Sequence, residues 1–182
     1  MATLFLDFDG VLHPNEAYLR TGGVVLLADG HALFEYADRL CEILAPYPTL
    51  RVVLSTSWVA ALRSFKKAKG YLPPALQAQV VGATWHSGAG RVAGSTWHSS
   101  ADRYEWNLLT RFEQIQRYVA RHRLPDWLAL DDDDIGWPDD QRHRLVCTHE
   151  WHGLGDEFAQ SDLRAKLAVL MSREGGIYEV PY

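Results

Sequence analysis

The chain has 182 residues, of which 47% are hydrophobic and 23% charged, and its formal net charge is −5. This composition is that of an ordinary globular protein, so we expect residues 1–182 to form a single domain. The net charge alone does not point to nucleic acid or to an anionic membrane. Two cysteines stand far apart, no signal peptide is visible, and no apolar segment approaches the ~20 residues of a membrane span. We therefore expect a cytoplasmic protein without a membrane partner.

Short apolar segments predict the strands. They lie at residues 3–6, 50–54, 127–130 and, more weakly, 145–147. Helical patterns lie between or after them, at residues 32–44, 110–121 and 161–171, with Thr110 and Ser161 as the expected N-caps. Strands that alternate with helices predict a mainly parallel sheet covered on both faces, a three-layer α/β/α arrangement. Ligands bind beyond the carboxyl ends of the strands in such sheets.

Two regions do not follow the alternation. Residues 13–30 contain Gly22-Gly23 and the apolar run Val24 to Leu27, which is typical of a small hairpin flap. Residues 80–106 are rich in Gly, Ser, Trp and His and repeat Thr-Trp-His-Ser at 84–87 and 96–99. The sequence gives this second region no definite structure. Its aromatic rings either stack on bases or pack on the core.

The segment Asp7-Phe8-Asp9-Gly10 directly follows the first strand. Alternate residues of an extended strand end point the same way, so Asp7 and Asp9 are expected to face one pocket while Phe8 packs inward. Gly10 permits a tight turn close to a ligand. The alternative is a pair of acids in an ordinary surface turn.

Two further groups of polar residues are candidates for binding an anion at the site. Ser55-Thr56-Ser57 ends the second strand, and its hydroxyls suit either an anionic oxygen or a helix cap. Arg111 lies in the first turn of a helix, where a cation is unfavourable unless a buried anion faces it. A solvated arginine is the alternative.

The third strand runs into four acids, Asp131 to Asp134. Carboxylates at a strand end are the hard oxygen ligands that Mg²⁺ prefers. We expect Asp131 and Asp132 to reach the ion together with the Asp7–Asp9 pair, and Asp133 and Asp134 to be solvated or capping residues.

Taken in order, these motifs resemble those of haloacid dehalogenase-like (HAD) hydrolases. More narrowly, FLDFDGVLHP, VVLSTSW, the helix with Arg111 and Ile115, and LALDDDD are similar to the HAD domain of Swiss Army Knife RNA repair proteins. The resemblance covers residues 3–14, 50–58 and 110–154. It implies a Rossmann-like HAD fold with a small flap and no large cap domain.

The resemblance also implies a Mg²⁺-dependent phosphatase. Asp7 would be the nucleophile that forms an aspartyl-phosphate, and Asp9 the general acid and then the general base. The Mg²⁺ ion would be held by Asp7, by the backbone carbonyl of Asp9 and by Asp131 or Asp132, with Asp132 favoured as the direct ligand.

The implied phosphate-binding residues are Thr56 and Arg111, helped by Ser57 and Gly10. This chain departs from the usual pattern at Arg111, where the superfamily most often has Lys. The phosphate-binding hydroxyl is either Ser55 or Thr56, because the end of the apolar run is ambiguous.

The interval between Asp9 and Thr56 has room for one helix and a flap, which leaves the expected site open. Open sites of this kind suit large or polymeric substrates, so we expect a phosphorylated partner such as a nucleotide or the phosphate end of a nucleic acid. The alternative is a non-catalytic phosphate-binding module with the same fold. A receiver-type signalling domain is disfavoured because its acid pair precedes its acceptor Asp.

Overall fold

The computed structural model describes residues 1–85 and 106–175. In chain order the strands are β1 (Thr3–Leu6), β2 (Ala17–Arg20), β3 (Gly23–Leu26), β4 (Arg51–Leu54), β5 (Val80–Ala83), β6 (Trp127–Asp131) and β7 (Leu145–Cys147). The helices are α1 (Ala37–Leu44), α2 (Ser57–Ala61), α3 (Phe65–Lys69), α4 (Pro74–Gln79), α5 (Arg111–His122) and α6 (Glu157–Gly175). Two 3₁₀ turns, Asp139–Arg144 and Gly153–Gly155, flank β7.

Five strands form one sheet in the order β5-β4-β1-β6-β7, and every neighbouring pair is parallel. β1 lies in the middle, with Leu6 paired to Leu54 on one side and to Leu130 on the other. The carboxyl ends of the three central strands therefore lie at one level. The residues that follow them in sequence meet at this edge of the sheet.

Alternating side chains along the strands build two cores. Leu4, Leu6 and Val52 pack on one face with leucines of α1, α4 and α6. Phe5, Val53 and Ala129 pack on the other face against Ile115 and Tyr118 of α5. Strands buried on both faces have continuous apolar sequences, as β1 and β6 do. The expected α/β/α fold is confirmed.

The flap expected at residues 13–30 is an antiparallel hairpin. β2 and β3 pair from Ala17 opposite Leu26 to Arg20 opposite Gly23. Gly22 and Gly23 have positive φ angles of 110° and 139°, which glycine adopts without strain. Between Asp9 and Thr56 the chain forms only this hairpin and α1 as regular elements, so this interval contains no cap domain.

Some predicted boundaries were wrong. α1 begins at Ala37 rather than at residue 32, because Phe34 has a left-handed φ of 60° that a helix cannot contain. α6 begins at Glu157, so Ser161 is inside the helix and not its cap. The Asp156 carboxylate instead accepts a hydrogen bond from the Phe158 amide at 2.9 Å. Leu50 precedes β4, and β6 extends one residue further, to Asp131.

The edge strand β5 and the short helices α2, α3 and α4 were not predicted as separate elements. Most of the Trp- and His-rich stretch, including the second Thr-Trp-His-Ser copy, lies outside the described residues. Its two ends, Trp85 and Trp106, pack against the core. Among the described residues, the helices are all too short or too polar to cross a membrane.

Candidate active site at the carboxyl edge of the sheet

Asp7 continues the line of β1 at the centre of the sheet. Its amide donates to the Leu130 carbonyl at 3.1 Å, which holds the residue in register with β6. The side chain is only 5% exposed. Phe8, the next residue, is fully buried, as the alternation predicts. The Asp7 carboxylate therefore lies buried at the carboxyl end of β1 rather than on the surface.

Asp131 and Asp132 come to the same place from β6. The Asp131 carbonyl accepts from the Thr148 amide at 3.0 Å, and its Oδ1 accepts from the Asp133 amide at 3.1 Å. Asp132 Oδ2 accepts from Asn15 Nδ2 at 2.9 Å. One carboxylate oxygen from each of Asp7, Asp131 and Asp132 lies within 4.8 Å of the other two.

This cluster has the chemistry of a cation site. Asp7 Oδ1 is buried and accepts no hydrogen bond from the described part of the chain. Asp131 Oδ2 is also buried, and Arg111 Nε lies 3.0 Å from it as an ion-pair partner without hydrogen-bond geometry. Buried acceptors without a donor are rare and costly, and a hard divalent cation would satisfy them. The three carboxylates therefore fit a bound divalent metal ion.

The pKa values show how strongly these acids need a counter-charge. Burial raises the pKa of Asp7, and the negative charge of Asp9 adds to the effect, while Arg111 opposes it. Burial first, and then the charge of Asp7, raise the pKa of Asp131 well above its usual value. The same two causes raise the pKa of Asp132 to about 7. Within residues 1–85 and 106–175, the positive charge of Arg111 does not cancel the effect of burial and mutual repulsion, so the pKa values of all three acids stay raised.

Within the described part of the chain, Arg111 supplies positive charge directly to these acids. Its Nη2 lies 3.2 Å from Asp7 Oδ2 and its Nε lies 3.0 Å from Asp131 Oδ2. Its Nη1 donates to Gln114 Oε1 at 3.1 Å. Burial alone would lower the pKa of Arg111, but the adjacent carboxylates raise it, so the group stays charged. The reading of Arg111 as a solvated residue is wrong, because its side chain is only 14% exposed.

The start of α5 fixes where Arg111 lies. Thr110 is the N-cap, as predicted, and forms a full capping box with Glu113. Glu113 also supplies the acid that the N-terminus of a helix prefers. The unfavourable placement of Arg111 at this end is offset by the two buried carboxylates.

The three hydroxyl residues after β4 are placed differently from one another. Thr56 is the N-cap of α2, with Oγ1 accepting from the Trp58 amide at 3.3 Å, and it lies close enough to Asp7 to lower the pKa of that acid. Ser55 is fully buried and its Oγ has no partner among the described residues. Ser57 is exposed. Both Ser55 and Thr56 thus lie at the carboxyl edge of the sheet. That one of these two hydroxyls binds phosphate stays a prediction.

Gly10 is required by the packing of the loop. Its φ is +67°, and a Cβ at this position would lie 2.2 Å from Asp132 Oδ2. Its carbonyl accepts from Thr148 Oγ1 at 2.7 Å. The glycine thus allows the Asp9 loop to approach Asp132 more closely than any side chain would permit.

Asp9 faces a different set of partners from Asp7. Trp58 Nε1 lies 3.0 Å from Oδ1 and 2.9 Å from Oδ2, and His13 Nε2 lies 3.1 Å from Oδ1. Its side chain is outside the cluster formed by the other three acids. The predicted contact of Asp9 with a metal through its carbonyl stays a prediction.

The remaining acids of the run after β6 have local roles. Asp133 Oδ1 accepts from the Ile135 amide at 2.8 Å, and Asp134 Oδ2 lies 2.7 Å from Arg142 Nη1. As predicted, Asp133 caps a turn, and the half-exposed Asp134 pairs with Arg142 outside the cluster of three acids.

Four site residues were not predicted: His13, Asn15, Trp58 and Thr148. His13 and Asn15 follow Asp9 in the flap segment, and Trp58 follows the Ser-Thr-Ser group. The position of these three residues beside the predicted motifs could have indicated a role in the site. The hydrogen bonds that all four residues make depend on the tertiary fold.

The fold and the site together define a class of protein. A parallel α/β/α sheet has acids at the ends of two adjacent central strands, with a buried arginine between them. The family model for the HAD domain in Swiss Army Knife RNA repair proteins matches residues 3–159. The chain belongs to this HAD family, whose superfamily consists generally of hydrolases and phosphatases that use a divalent metal ion. Searches of curated proteins and of solved structures found no match.

Proposed function

We propose that the protein is a Mg²⁺-dependent phosphomonoesterase. The observation that carries this proposal is the cluster of Asp7, Asp131 and Asp132, joined by the buried Arg111. A phosphatase of this type needs a carboxylate nucleophile, a cation site and a fixed positive charge for the phosphoryl oxygens. All three needs can be met within this one cluster.

In the proposed reaction a carboxylate oxygen of Asp7 attacks phosphorus and displaces the alcohol of the substrate. Asp9 gives its proton to the departing oxygen. Asp9 then takes a proton from water as the water oxygen attacks the aspartyl-phosphate, which releases inorganic phosphate and restores both acids.

Asp7, Asp131 or Asp132, and the carbonyl of Asp9 would hold Mg²⁺. When bound, the ion would neutralise the phosphoryl group and the clustered acids. Arg111, at the start of α5, would contact the phosphoryl oxygens as well. Thr56 or Ser55, with Ser57 and the backbone at Gly10, would complete the phosphate contacts.

The substrate proposal rests on two observations. The family match is to a domain of RNA repair proteins, and the interval between Asp9 and Thr56 contains only a hairpin and one helix as regular elements. Because this interval adds no cap domain, we propose a phosphorylated nucleotide or the phosphate end of a nucleic acid as the substrate. A cytoplasmic location suits a protein that acts on these substrates.

The test is hydrolysis with and without Mg²⁺ of p-nitrophenyl phosphate, mononucleotides, and 3′- or 5′-phosphorylated oligonucleotides. We expect Mg²⁺-dependent release of phosphate and its loss in Asp7→Asn. Asp134→Asn is the matched control, because this acid pairs with Arg142 away from the site. Full activity in Asp7→Asn would contradict the proposal. Mg²⁺-dependent binding of the phosphorylated ligands without turnover would instead identify a non-catalytic binding module.

A further inference from the structure

Two ring N–H groups hold the carboxyl group of Asp9. The Trp58 indole N–H is shared between both oxygens, at 3.0 Å from Oδ1 and 2.9 Å from Oδ2. His13 Nε2 lies 3.1 Å from Oδ1, and the His13 side chain is completely buried. The two donors approach from different segments, four and 49 residues away from Asp9 in sequence.

The tautomer of His13 follows from its other nitrogen. The Phe34 amide donates to His13 Nδ1 at 3.4 Å. A backbone amide can only donate, so Nδ1 carries the lone pair and Nε2 carries the proton. His13 therefore donates to Asp9. Phe34, whose amide makes this hydrogen bond, has a left-handed backbone conformation with a φ of 60°.

An aromatic cluster fixes both donor rings. Trp58 packs edge to face on His13 at 5.7 Å, on Phe34 at 5.3 Å and on Phe8 at 5.6 Å between ring centroids. Tyr71 closes the cluster at 5.1 Å from Trp58. Rings packed in this way have little freedom to rotate, so the direction of each N–H is set by the core.

The two carboxyl oxygens of Asp9 are consequently not equivalent. Each oxygen has two lone pairs, and from the described residues Oδ1 receives two N–H donors while Oδ2 receives one. Oδ2 is thus the oxygen with a lone pair left for a proton.

We propose that Trp58 and His13 are positioning residues for Asp9, which fix the plane of its carboxyl group and leave Oδ2 as the atom that carries the transferable proton. This inference rests on the proposed function, in which Asp9 is the general acid. In the first step the phosphorus–oxygen bond to the alcohol breaks and its electron pair stays on the alcohol oxygen. The proton on Asp9 Oδ2 moves to that oxygen, which leaves a neutral alcohol and an Asp9 carboxylate. In the second step water returns a proton to Oδ2.

The nature of the leaving group distinguishes this role from a structural one. A weakly basic leaving group such as p-nitrophenolate departs with little help from an acid, whereas an alkoxide needs its proton during bond breaking. Poor positioning of Asp9 therefore slows alkyl phosphates more than aryl phosphates. General damage to the fold slows both equally.

The experiment measures kcat/KM, which reports formation of the aspartyl-phosphate, for ethyl phosphate and p-nitrophenyl phosphate. The variants are Trp58→Phe and His13→Leu, which remove one donor each and keep apolar packing. We expect kcat/KM for ethyl phosphate to fall about 10- to 100-fold, which is less than the roughly 10²–10⁴-fold contribution of a complete acid–base group, and for p-nitrophenyl phosphate by less than about 3-fold. His13→Gln keeps an N–H donor and should recover part of the loss.

Tyr71→Phe is the matched control, since Tyr71 belongs to the same aromatic cluster but is not one of the donors to Asp9 among the described residues. It should leave the ratio between the two substrates unchanged. Thermal unfolding of each variant shows whether it is folded, and either donor variant alone suffices for the test.

Equal losses on both substrates, or none, would overturn the inference while leaving the phosphatase proposal in place. Absence of turnover by the wild-type protein on both substrates, and on the nucleotide panel, would overturn the proposed function and this inference with it.

Discussion

Arg111 Nη2 lies 3.2 Å from Asp7 Oδ2, although the two residues are 104 positions apart in sequence. Asp7 follows the carboxyl end of β1, and Arg111 is the first residue of α5. The contact is buried and continues to Asp131 through Nε. It gives the central carboxylate of the site its counter-charge within the protein itself. This relationship makes Arg111 the residue whose removal should disturb the site most.

We predict that Arg111→Ala lowers both stability and activity. Removing one partner of a buried ion pair typically costs about 3–5 kcal/mol, and losing a transition-state donor costs about 10²–10³ in kcat. Chemical denaturation and phosphatase assays measure the two effects. Arg117→Ala, on an exposed position of the same helix, is the control. An Arg111→Ala protein with unchanged stability would show that the ion pair does not form in solution.

The location of the site could be predicted from the sequence because parallel strand ends coincide. Asp7 follows β1 and Asp131 ends β6, and the register of these neighbours places both acids at one level. The misplaced charge of Arg111 at a helix start likewise indicated a buried anion. These arguments need only parallel strands and helix polarity, which the alternation of apolar segments with helical patterns and the Thr110 cap indicate.

The support around Asp9 could not be predicted in the same way. Trp58 reaches Asp9 across 49 residues, and Asn15 reaches Asp132 across 117. No periodicity encodes such contacts, which depend on the fold of the flap and of the aromatic cluster. The start of α1 was missed for a related reason, because the left-handed Phe34 is selected by its packing and not by its own propensity.

The acidic cluster predicts a dependence of stability on pH. Asp132 releases its proton near 3.8 in an unfolded chain, but burial and the charge of Asp7 raise its pKa to about 7 in the fold. Between these values the native state binds more protons than the unfolded state. Without metal, the free energy of unfolding should therefore fall as the pH rises from about 4 to 7.

Thermal unfolding in EDTA across this pH range measures the effect. Asp132→Asn should flatten the profile and be more stable than the wild type at pH 8. Added Mg²⁺ should stabilise the wild type more at pH 8 than at pH 5, because protons compete with the ion. A wild-type profile that rises with pH in EDTA would contradict the expected direction.

Gly10 offers a separate test of how closely the Asp9 loop approaches Asp132. Gly10→Ala would place a methyl group 2.2 Å from Asp132 Oδ2 and also strain a φ of +67°. Gly30 has a similar φ of +79° but no atom within 4 Å of an added Cβ. Gly30→Ala should thus cost only the backbone strain, roughly 1–2 kcal/mol. Gly10→Ala should cost more and also weaken Mg²⁺ binding, measured by calorimetry; equal effects of the two substitutions would exclude the close approach.

A cavity between the hairpin and the α2 segment indicates where the leaving group binds. A cavity of about 70 Å³ beside Asp9 is lined by Ala17, Leu19 and Val24 of the hairpin and by Trp58, Ala61 and nearby residues of the α2 segment. An alcohol that receives its proton from Asp9 must occupy space next to that acid, and apolar side chains line this cavity together with the polar groups of Asp9 and Ser57. The cavity therefore suits the uncharged part of a leaving group.

We predict that Val24→Phe fills this space and lowers kcat/KM for p-nitrophenyl phosphate about tenfold, as small changes in an apolar pocket commonly do. Val25→Phe is the matched control, because Val25 is the next residue of β3 and its side chain is exposed on the other face of the hairpin. Steady-state kinetics on both variants, with Mg²⁺ affinity measured alongside, make the comparison. Val24 lines the cavity beside Asp9 and is not among the three clustered acids, so Mg²⁺ binding should be unchanged in either variant. If both phenylalanines had the same effect on kcat/KM, the leaving group would have to lie elsewhere along the edge of the sheet.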